Sequence, residues 1–251
     1  QKEMTGVLAH ICRHPIKGHG REALASVRLL ADQCLPWDRH WAVAHEAAKL
    51  KDGWNPCVNF ARGAKAPQLM AITCAFDEAN ETLKLSHPDA GEITFDPENP
   101  DDLARFLDWV RPLNPTDRAQ PVRIVSAGVG LTDSEFPSVS ILSLSSLRDL
   151  SAKMGQPLSI DRWRGNLWLD GVAPWEEFNW IGKTLTIGGA TLRIEERITR
   201  CRATMVDPQT GKIDGDTLAA LEQNFGHQDF GLYARVLSAG KVALGDQWSV
   251  A

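Results

Sequence analysis

Short apolar runs separated by turn residues constrain the fold of this chain more than any other feature. The runs are rich in Val, Ile, Leu and Thr, and Gly, Pro, Asn or Asp interrupts them, which is typical of β-strands. Gly188-Gly189 lies between two of them and predicts a hairpin. Many short strands with frequent turns favour a barrel or a sandwich over alternating β-α-β units. The predicted strands are Gly6–Cys12, Ala25–Leu30, Trp41–Ala44, Leu69–Ala75, Thr82–Leu85, Glu92–Phe95, Val122–Val125, Val139–Ser143, Asn166–Leu169, Thr184–Ile187, Thr191–Glu195 and Leu232–Ser238.

Helical signals are few. Asp101–Val110 follows a proline and carries acidic residues in its first turn. Ser146 and Asp149 form a capping-box pattern that predicts a helix running to Gly155, and Asp216–Phe225 is a third helical segment, closed by a glycine. The predicted class is therefore α+β, mainly β.

A change of pattern near the middle of the chain indicates two halves. Arg111–Gln120 contains two prolines and no apolar periodicity, so we take residues 111–120 as a linker. Residues 1–110 then form an N-terminal region, and residues 121–251 form a second domain.

Charge and hydropathy argue against two classes of partner. The net charge is −5 and no long basic run is present, which argues against nucleic acid. No apolar run reaches the roughly 18 residues of a membrane span, and Gln1–Thr5 has no apolar signal region. We expect neither nucleic-acid nor membrane binding.

The five cysteines are odd in number and include no Cys-x-x-Cys pair. This argues against a disulfide framework, a zinc ribbon and a self-contained iron–sulfur cluster, and it favours a reducing compartment, the cytoplasm. Four of them have apolar or strand-edge neighbours, so we expect them to be buried small hydrophobic residues. These four are Cys12, Cys34, Cys57 and Cys74.

The fifth cysteine, Cys201, has a different setting. Arginines flank it on both sides, and an Asp-Pro-x-Thr-Gly turn follows at residues 207–211. Cationic neighbours favour the thiolate, the form that attacks electrophiles or binds soft metals. A plain core thiol is the alternative interpretation. If the chain carries out chemistry, Cys201 is its first candidate.

Three further segments carry chemically useful residues. Residues 14–20 contain a Lys-Gly after a strand, a setting in which backbone N–H groups can approach an anion. Residues 35–41 contain an Asp-Arg pair, and residues 161–167 contain two arginines and an asparagine that could hold a phosphate and the edge of a heterocycle. Taken singly, each segment is equally typical of an ordinary turn, a surface ion pair or a solvated strand end.

Together, in this order, the segments resemble the MOSC family, named for the C-terminal domain of molybdenum cofactor sulfurase. The matching patterns are Pro-Ile-Lys-Gly from Pro15, Pro-x-Asp-Arg from Pro36, Arg-x-Arg-x-Asn from Arg162, and Arg-Cys-x-x-Thr-x-Val-Asp-Pro-x-Thr-Gly from Arg200. The resemblance spans nearly the whole chain. It implies a MOSC-type β-barrel domain preceded by an N-terminal β-barrel-like region.

The resemblance also implies a site. Cys201 would be a catalytic thiolate that ligates molybdenum beside the dithiolene sulfurs of molybdopterin, and Asp207 and Gly211 would shape the turn behind it. The residues that would contact the phosphate and pterin of the cofactor are Lys17, Gly18, Arg39, Arg164, Asn166 and Arg200, with Ser143 and Ser145 as further phosphate contacts.

Three functions remain open on this basis. The first is a molybdenum-dependent oxidoreductase that reduces N-hydroxylated or N-oxide small molecules with electrons from a separate donor protein. The second is a cofactor carrier or sulfurtransferase that uses Cys201 and works with cofactor-insertion or acceptor proteins. The third is a structural relative that binds no cofactor. We expect no iron–sulfur cluster, and 251 residues leave no room for a pyridoxal phosphate domain.

Overall fold

The structure is a computed structural model, and it describes residues 5–251. Residues 1–4 lie outside the described residues. They are the first residues of the predicted N-terminal region and of the segment that has no apolar signal region.

Within residues 5–251, strands are the commonest regular element, and there are three α-helices: α1 (Pro100–Val110), α2 (Leu144–Met154) and α3 (Thr217–Phe225). The strands of the N-terminal half are β1 (Thr5–Arg13), β2 (Glu22–Leu24), β3 (Ser26–Leu29), β4 (Ala42–His45), β5 (Thr73–Asp77), β6 (Thr82–His87) and β7 (Gly91–Phe95). Those that follow α1 are β8 (Pro121–Val125), β9 (Val139–Ser143), β10 (Leu167–Asp170), β11 (Thr184–Ile187), β12 (Ala190–Thr199), β13 (Val206–Asp207), β14 (Lys212–Ile213), β15 (Asp229–Ser238), β16 (Gly240–Ala243) and β17 (Gln247–Val250). Short 3₁₀ turns cover Cys57–Asn59, Pro67–Ala71, Arg111–Leu113, Ile160–Arg162, Glu176–Trp180 and Arg202–Met205.

A closed seven-stranded barrel forms the largest sheet. Its order is β10-β9-β15-β12-β11-β17-β1, and pairing of β10 with β1 closes the ring, which leaves no free edge along these strands. Gly6 on β1 fits this closure, because a Cβ there would lie 2.1 Å from the Asp170 carbonyl oxygen. Apolar side chains from every barrel strand fill the interior, among them Leu8, Ile141, Leu169, Leu185, Leu192, Val236 and Trp248.

One pair in the barrel is parallel. β9 and β10 run in the same direction, whereas the other pairs are antiparallel. A parallel pair needs a crossover connection, and α2 provides it. The barrel therefore contains one β-α-β unit.

The N-terminal half has a core of its own. β5, β6 and β7 form an antiparallel sheet, and Phe106 and Val110 of α1 are buried in the same cluster as Leu83 and Phe95 from that sheet. α1 begins at Asn99, whose side chain accepts a hydrogen bond from the Asp101 backbone N–H. β4 pairs with β8 beside this core.

The two halves interlock. β1, from the start of the chain, belongs to the barrel of the C-terminal half, and β3 pairs with β16. The linker at residues 111–120 separates two stretches of sequence, but strands from before the linker pair with strands that follow it. The division into residues 1–110 and 121–251 as domains stays a prediction.

The predicted class, mainly β with a barrel and few helices, is confirmed. One predicted strand, Leu69–Ala75, is wrong in its first half, because Pro67 starts a 3₁₀ turn that ends at Ala71 before β5 begins. The predicted start of α2 is also wrong. Ser143, not Ser146, caps that helix, and its Oγ accepts the Ser146 N–H at 3.2 Å.

Five strands were missed because each is short or has no apolar alternation: β2, β13, β14, β16 and β17. Within residues 5–251, no helix is long and apolar enough to cross a membrane.

Candidate functional site

A cleft of about 720 Å³ takes its lining from both halves of the chain. The N-terminal half contributes Lys17 and Gly18 after β1 and residues 62–65. The C-terminal half contributes the start of β9, the segment before β10, the end of β12 and the turn that follows it. The closed barrel fixes this arrangement, since β1 and β10 are neighbours in the ring.

Seven of the predicted site residues line this cleft although they come from four separate segments of the chain: Lys17, Gly18, Arg39, Arg164, Asn166, Arg200 and Cys201. Ser143 and Ser145 lie outside it. Ser138 and Ser140, at the N-terminal end of β9, line the cleft. Ser143 and Ser145 lie at the C-terminal end of this strand, where α2 begins. Ser143 is buried as the cap of α2, so the structure does not bring these two serines to the site.

Cys201 lies in extended conformation just after β12, where it caps the 3₁₀ turn Arg202–Met205. Its thiol is exposed in the cleft. The Thr204 hydroxyl donates to the Cys201 carbonyl at 3.1 Å and stabilises the turn. Behind it, the Gly211 N–H donates to the Asp207 carbonyl at 2.8 Å, as the Asp-Pro-x-Thr-Gly pattern predicts.

Lys17 is buried in the wall of the cleft. Its ammonium group donates to the Leu131 carbonyl and to Asp133 Oδ1, both at 2.7 Å. The charge of Lys17 and its hydrogen bond keep the pKa of the exposed Asp133 carboxyl below its usual value. Two hydrogen bonds thus fix the position of the Lys17 ammonium group in the wall of the cleft.

Arg39 is oriented by a buried carboxylate. Its Nη1 donates to Asp38 Oδ2 at 2.6 Å, and its Nη2 donates to the Arg164 carbonyl at 2.7 Å. Burial opposes ionisation of Asp38, yet Arg39 holds the pKa of this carboxyl well below its usual range. Burial and the two nearby arginines lower the pKa of His14 to about 3, so His14 is neutral and its Nδ1–H donates to Asp38 Oδ1 at 3.1 Å.

Arg164 has no carboxylate within salt-bridge distance among residues 5–251, and its one hydrogen bond is a long contact of 3.5 Å to the Ile16 carbonyl. Partial burial and the Arg39 charge lower the pKa of the Arg164 guanidinium to about 9, because both disfavour its charged form. Such a group fits an anionic ligand. Its backbone φ of +47° and the +48° of Arg39 are left-handed values that cost a non-glycine residue free energy.

Asn166 lines the cleft, but the protein already uses its amide. Its Oδ1 accepts from the Ser140 backbone N–H at 3.1 Å, and its Nδ2 donates to the Cys12 carbonyl at 3.2 Å. Arg200 is also anchored, through Nε to the Phe230 carbonyl and Nη1 to the Trp163 carbonyl, each at 2.8 Å. Its Nη2 is buried without a hydrogen-bond partner in the described chain.

Sequence reasoning missed several lining residues. Arg62 and Lys65 come from a loop that carries no strand or family pattern, and Asp133 and Tyr233 lie far from every motif. A basic pair around Gly63 is the one signal that could have drawn attention to that loop.

The prediction for the other cysteines is right in part. Cys12 is buried, and Cys34 and Cys74 are half-buried, and burial raises their pKa values to about 12, 11 and 12 respectively. The prediction is wrong for Cys57, which is exposed and lines the same cleft as Cys201, because it opens a 3₁₀ turn at the surface. Residues 5–251 contain no group of three or more His, Cys, Asp or Glu side chains placed to hold a metal ion.

Comparison with protein families matches both halves of the chain. A family model described as the MOSC domain matches residues 133–249, and one described as the MOSC N-terminal beta barrel domain matches residues 5–120. The second model covers the half that holds Lys17 and Arg39, and the first covers the half that holds Arg164 and Cys201.

Individual relatives match shorter stretches. The mitochondrial amidoxime reducing component 2 of Bos taurus is 31% identical over 120 residues, which is 43% of this chain and 35% of that protein. The molybdenum cofactor sulfurase of Anopheles gambiae is 33% identical over 75 residues, 30% of this chain and 10% of that protein. The matches therefore span about a third of the first relative's length and a tenth of the second's. The crystal structure of the YUAD protein from Bacillus subtilis gives a TM-score of 0.49 at 13% identity, covering 99% of this chain and 97% of that one.

Proposed function

The chain belongs to the MOSC family, and from this premise we propose that its cleft binds molybdenum cofactor, with Cys201 as a thiolate ligand to the metal. The observation that supports this most directly is Arg164, a half-buried cation that has no carboxylate partner in the described chain and lies beside a second arginine. A pair of this kind is stabilised when an anion binds between or beside its members. The phosphate of a pterin cofactor is such an anion.

The residues present fit the group. Lys17, Arg39 and Arg164 would hold the phosphate, and the exposed thiol of Cys201 in the same cleft would ligate the metal. A thiolate is a soft ligand that suits molybdenum, and Cys201 would supply it. When bound, the cofactor supplies two-electron redox and oxygen-transfer chemistry.

The protein's own contribution is to bind and to orient. Asp38 fixes the Arg39 guanidinium, and Asp133 with the Leu131 carbonyl fixes the Lys17 ammonium. Asn166 and Arg200 hold the segment before β10 and the end of β12, so that Cys201 is presented from a rigid strand end. Groups fixed in this way lose little side-chain entropy on binding.

The test is molybdenum and pterin content. Protein purified from a host that makes the cofactor should contain near-stoichiometric molybdenum and give pterin fluorescence after oxidation. Cys201→Ser should lose much of the metal. Cys57→Ser, which removes the other exposed thiol of the same cleft, should keep it and is the matched control. Absence of molybdenum and pterin from the wild type, even after free cofactor is added, would rule the proposal out.

The reaction we propose is reduction of N-hydroxylated or N-oxide small molecules with electrons from a separate donor protein. Its support is similarity to the bovine protein named as an amidoxime reducing component. Molybdenum-loaded protein should reduce benzamidoxime when an artificial electron donor is supplied, and Cys201→Ser should lower kcat strongly. Molybdenum-loaded protein that shows no turnover would support cofactor binding but would rule out the proposed reductase activity.

A second candidate is a carrier or sulfur-transfer protein that works with cofactor-insertion or acceptor proteins. The exposure of Cys201 in the cleft favours it, and a molybdenum cofactor sulfurase is among the relatives. An accessible Cys201 thiolate can attack the outer sulfur of a donor protein's persulfide, so that the sulfur passes to Cys201 and the donor's thiolate leaves. Stable cofactor binding, a persulfide on Cys201 by mass spectrometry and no turnover would support the carrier. The cytoplasmic location remains a prediction from cysteine usage, and cell fractionation tests it.

A further inference from the structure

The cleft contains more positive charge than a cofactor phosphate can neutralise. Nine lysine and arginine residues line it, against two carboxylates, Asp133 and Glu196. Four of the nine have a carboxylate within salt-bridge distance: Lys17 with Asp133, Arg39 with Asp38, Arg162 with Asp214, and Arg197 with Asp229. The five that have no such partner within residues 5–251 are Arg62, Lys65, Arg164, Arg200 and Arg202.

These five cations divide by depth. Burial lowers the pKa values of Arg164 and Arg200, which belong to the wall of the cleft. Lys65 and Arg202 are exposed, and Arg62 is half-buried, so we call these three the rim cations. Arg62 is oriented, because its Nη1 donates to the Cys57 carbonyl at 2.9 Å. An oriented arginine is a better receptor for an anion than a free one.

The rim cations lie close to the candidate reaction centre. Arg202 follows Cys201 directly, and a Cβ placed on Gly63 would lie 3.4 Å from the Ala203 side chain. The loop that carries Arg62 and Lys65 therefore packs against the turn that presents the thiol. Two loops that are far apart in sequence therefore bring positive charge to the part of the cleft that contains the Cys201 thiol.

A phosphate monoester carries a charge of about −1.5 to −2 at neutral pH. Arg164 and Arg200, together with the already paired Lys17 and Arg39, are sufficient to balance it. The rim cations then have no counter-charge except the single carboxylate of Glu196. Uncompensated charge of one sign at the mouth of a cleft attracts and selects ligands of the opposite sign.

We infer that the substrate of this site carries an anionic group, a carboxylate or a phosphate, which the rim cations bind while its reducible N–O group faces Cys201. The inference rests on the proposed reductase function, and it names the substrate class.

The test compares two probes that differ in charge alone, 4-carboxybenzamidoxime and its neutral 4-carboxamide analogue. Calorimetric titration of the molybdenum-loaded full chain should give at least about tenfold tighter binding of the carboxylate, as expected for a charge-assisted contact. The preference should fall as salt is raised, because exposed charges are screened. The same ratio should appear in KM during turnover.

Two single variants, Lys65→Gln and Arg202→Gln, should each reduce the carboxylate-to-carboxamide ratio by about threefold or more. The matched control is Arg123→Gln, an exposed arginine on β8 outside the cleft, which should leave both affinities unchanged. Equal affinity for the two probes, or equal ratios in wild type and rim variants, would overturn the inference.

Molybdenum content separates this outcome from failure of the proposed function. Molybdenum-loaded protein without a charge preference overturns the substrate class alone. Protein that takes up no molybdenum, yet prefers the carboxylate through Lys65 and Arg202, overturns the cofactor proposal and supports an anion site at the rim.

Discussion

At the scale of single residues, the site contains backbone conformations and like charges that lower the stability of the fold. Arg39 and Arg164 both have left-handed backbone conformations, and the Arg39 guanidinium donates to the Arg164 carbonyl at 2.7 Å. The two guanidinium charges also lie near enough for Arg39 to lower the pKa of Arg164, in a partly buried wall. Local strain and charge of this kind cost stability in the absence of a ligand and are repaid when an anion binds.

This cost can be measured at Arg164. Replacement by Gln removes the uncompensated charge, so we expect the free energy of unfolding of the cofactor-free protein to rise by about 1–3 kcal/mol. Urea denaturation measures it, with Arg123→Gln as the control for an exposed arginine. The same variant should weaken binding of inorganic phosphate. If the Gln variant is less stable than the wild type and binds phosphate with the same affinity, this view of the site is wrong.

At the scale of elements, one buried network connects the turn Glu176–Trp180 to α2. The Ser146 hydroxyl accepts the Trp175 N–H at 2.8 Å and donates to the Glu177 carboxyl, whose oxygens lie 2.7 and 2.9 Å away. One hydroxyl can donate only one hydrogen bond, so the carboxylate is poorly compensated. Burial raises the pKa of Glu177 from 4.5 to about 7.

The direction of the pH effect follows from this shift. An acid whose pKa is higher in the folded state binds its proton more tightly there, so the free energy of unfolding should fall as pH rises from about 4.5 to about 7. Glu177→Gln should therefore stabilise the protein at pH about 8, by an amount on the order of 2–3 kcal/mol, and should change it little at pH about 5.

Urea unfolding at the two pH values measures this effect. Glu222→Gln, on the exposed face of α3, is the matched control and should show no pH-dependent gain. A gain of equal size at both pH values would show that the carboxylate charge is not its cause.

The start of α2 shows how far an element can be read from local sequence. The helix itself and its end at Gly155 follow from periodicity and from a glycine with a φ of +67°. Its start does not, because the capping-box pattern of Ser146 and Asp149 places the cap three residues too late. Ser146 is buried by the tertiary contact with Glu177, and Ser143 becomes the cap.

At the scale of the whole molecule, the barrel is closed by the first strand of the chain. β1 pairs with both β10 and β17, so the C-terminal half lacks a complete barrel without it. A gap there would expose two strand edges and the buried cluster that contains Leu8 and Ile11.

A fragment of residues 121–251 should therefore show no cooperative unfolding transition, whereas the full chain should show one. Circular dichroism during thermal unfolding makes the comparison. The control is the full chain cleaved between the exposed residues Asp117 and Arg118 with both pieces kept together, which should retain the transition. A fragment that unfolds cooperatively by itself would establish the second half as an independent domain.

The sequence by itself determined most strands, all three helices, the Gly188-Gly189 hairpin and the identity of Cys201 as the candidate centre. These features depend on periodicity, caps and motifs that extend over a few neighbouring residues, and such patterns are visible in one dimension.

The tertiary structure alone decided the rest. It closed β10 on β1, packed the loop that carries Arg62 and Lys65 against the turn that follows Cys201, exposed Cys57, and left Ser143 and Ser145 outside the cleft. The physical reason is that each of these outcomes depends on distances between residues far apart in the chain. Those distances are fixed by the packing of the whole barrel and not by the preference of any single segment.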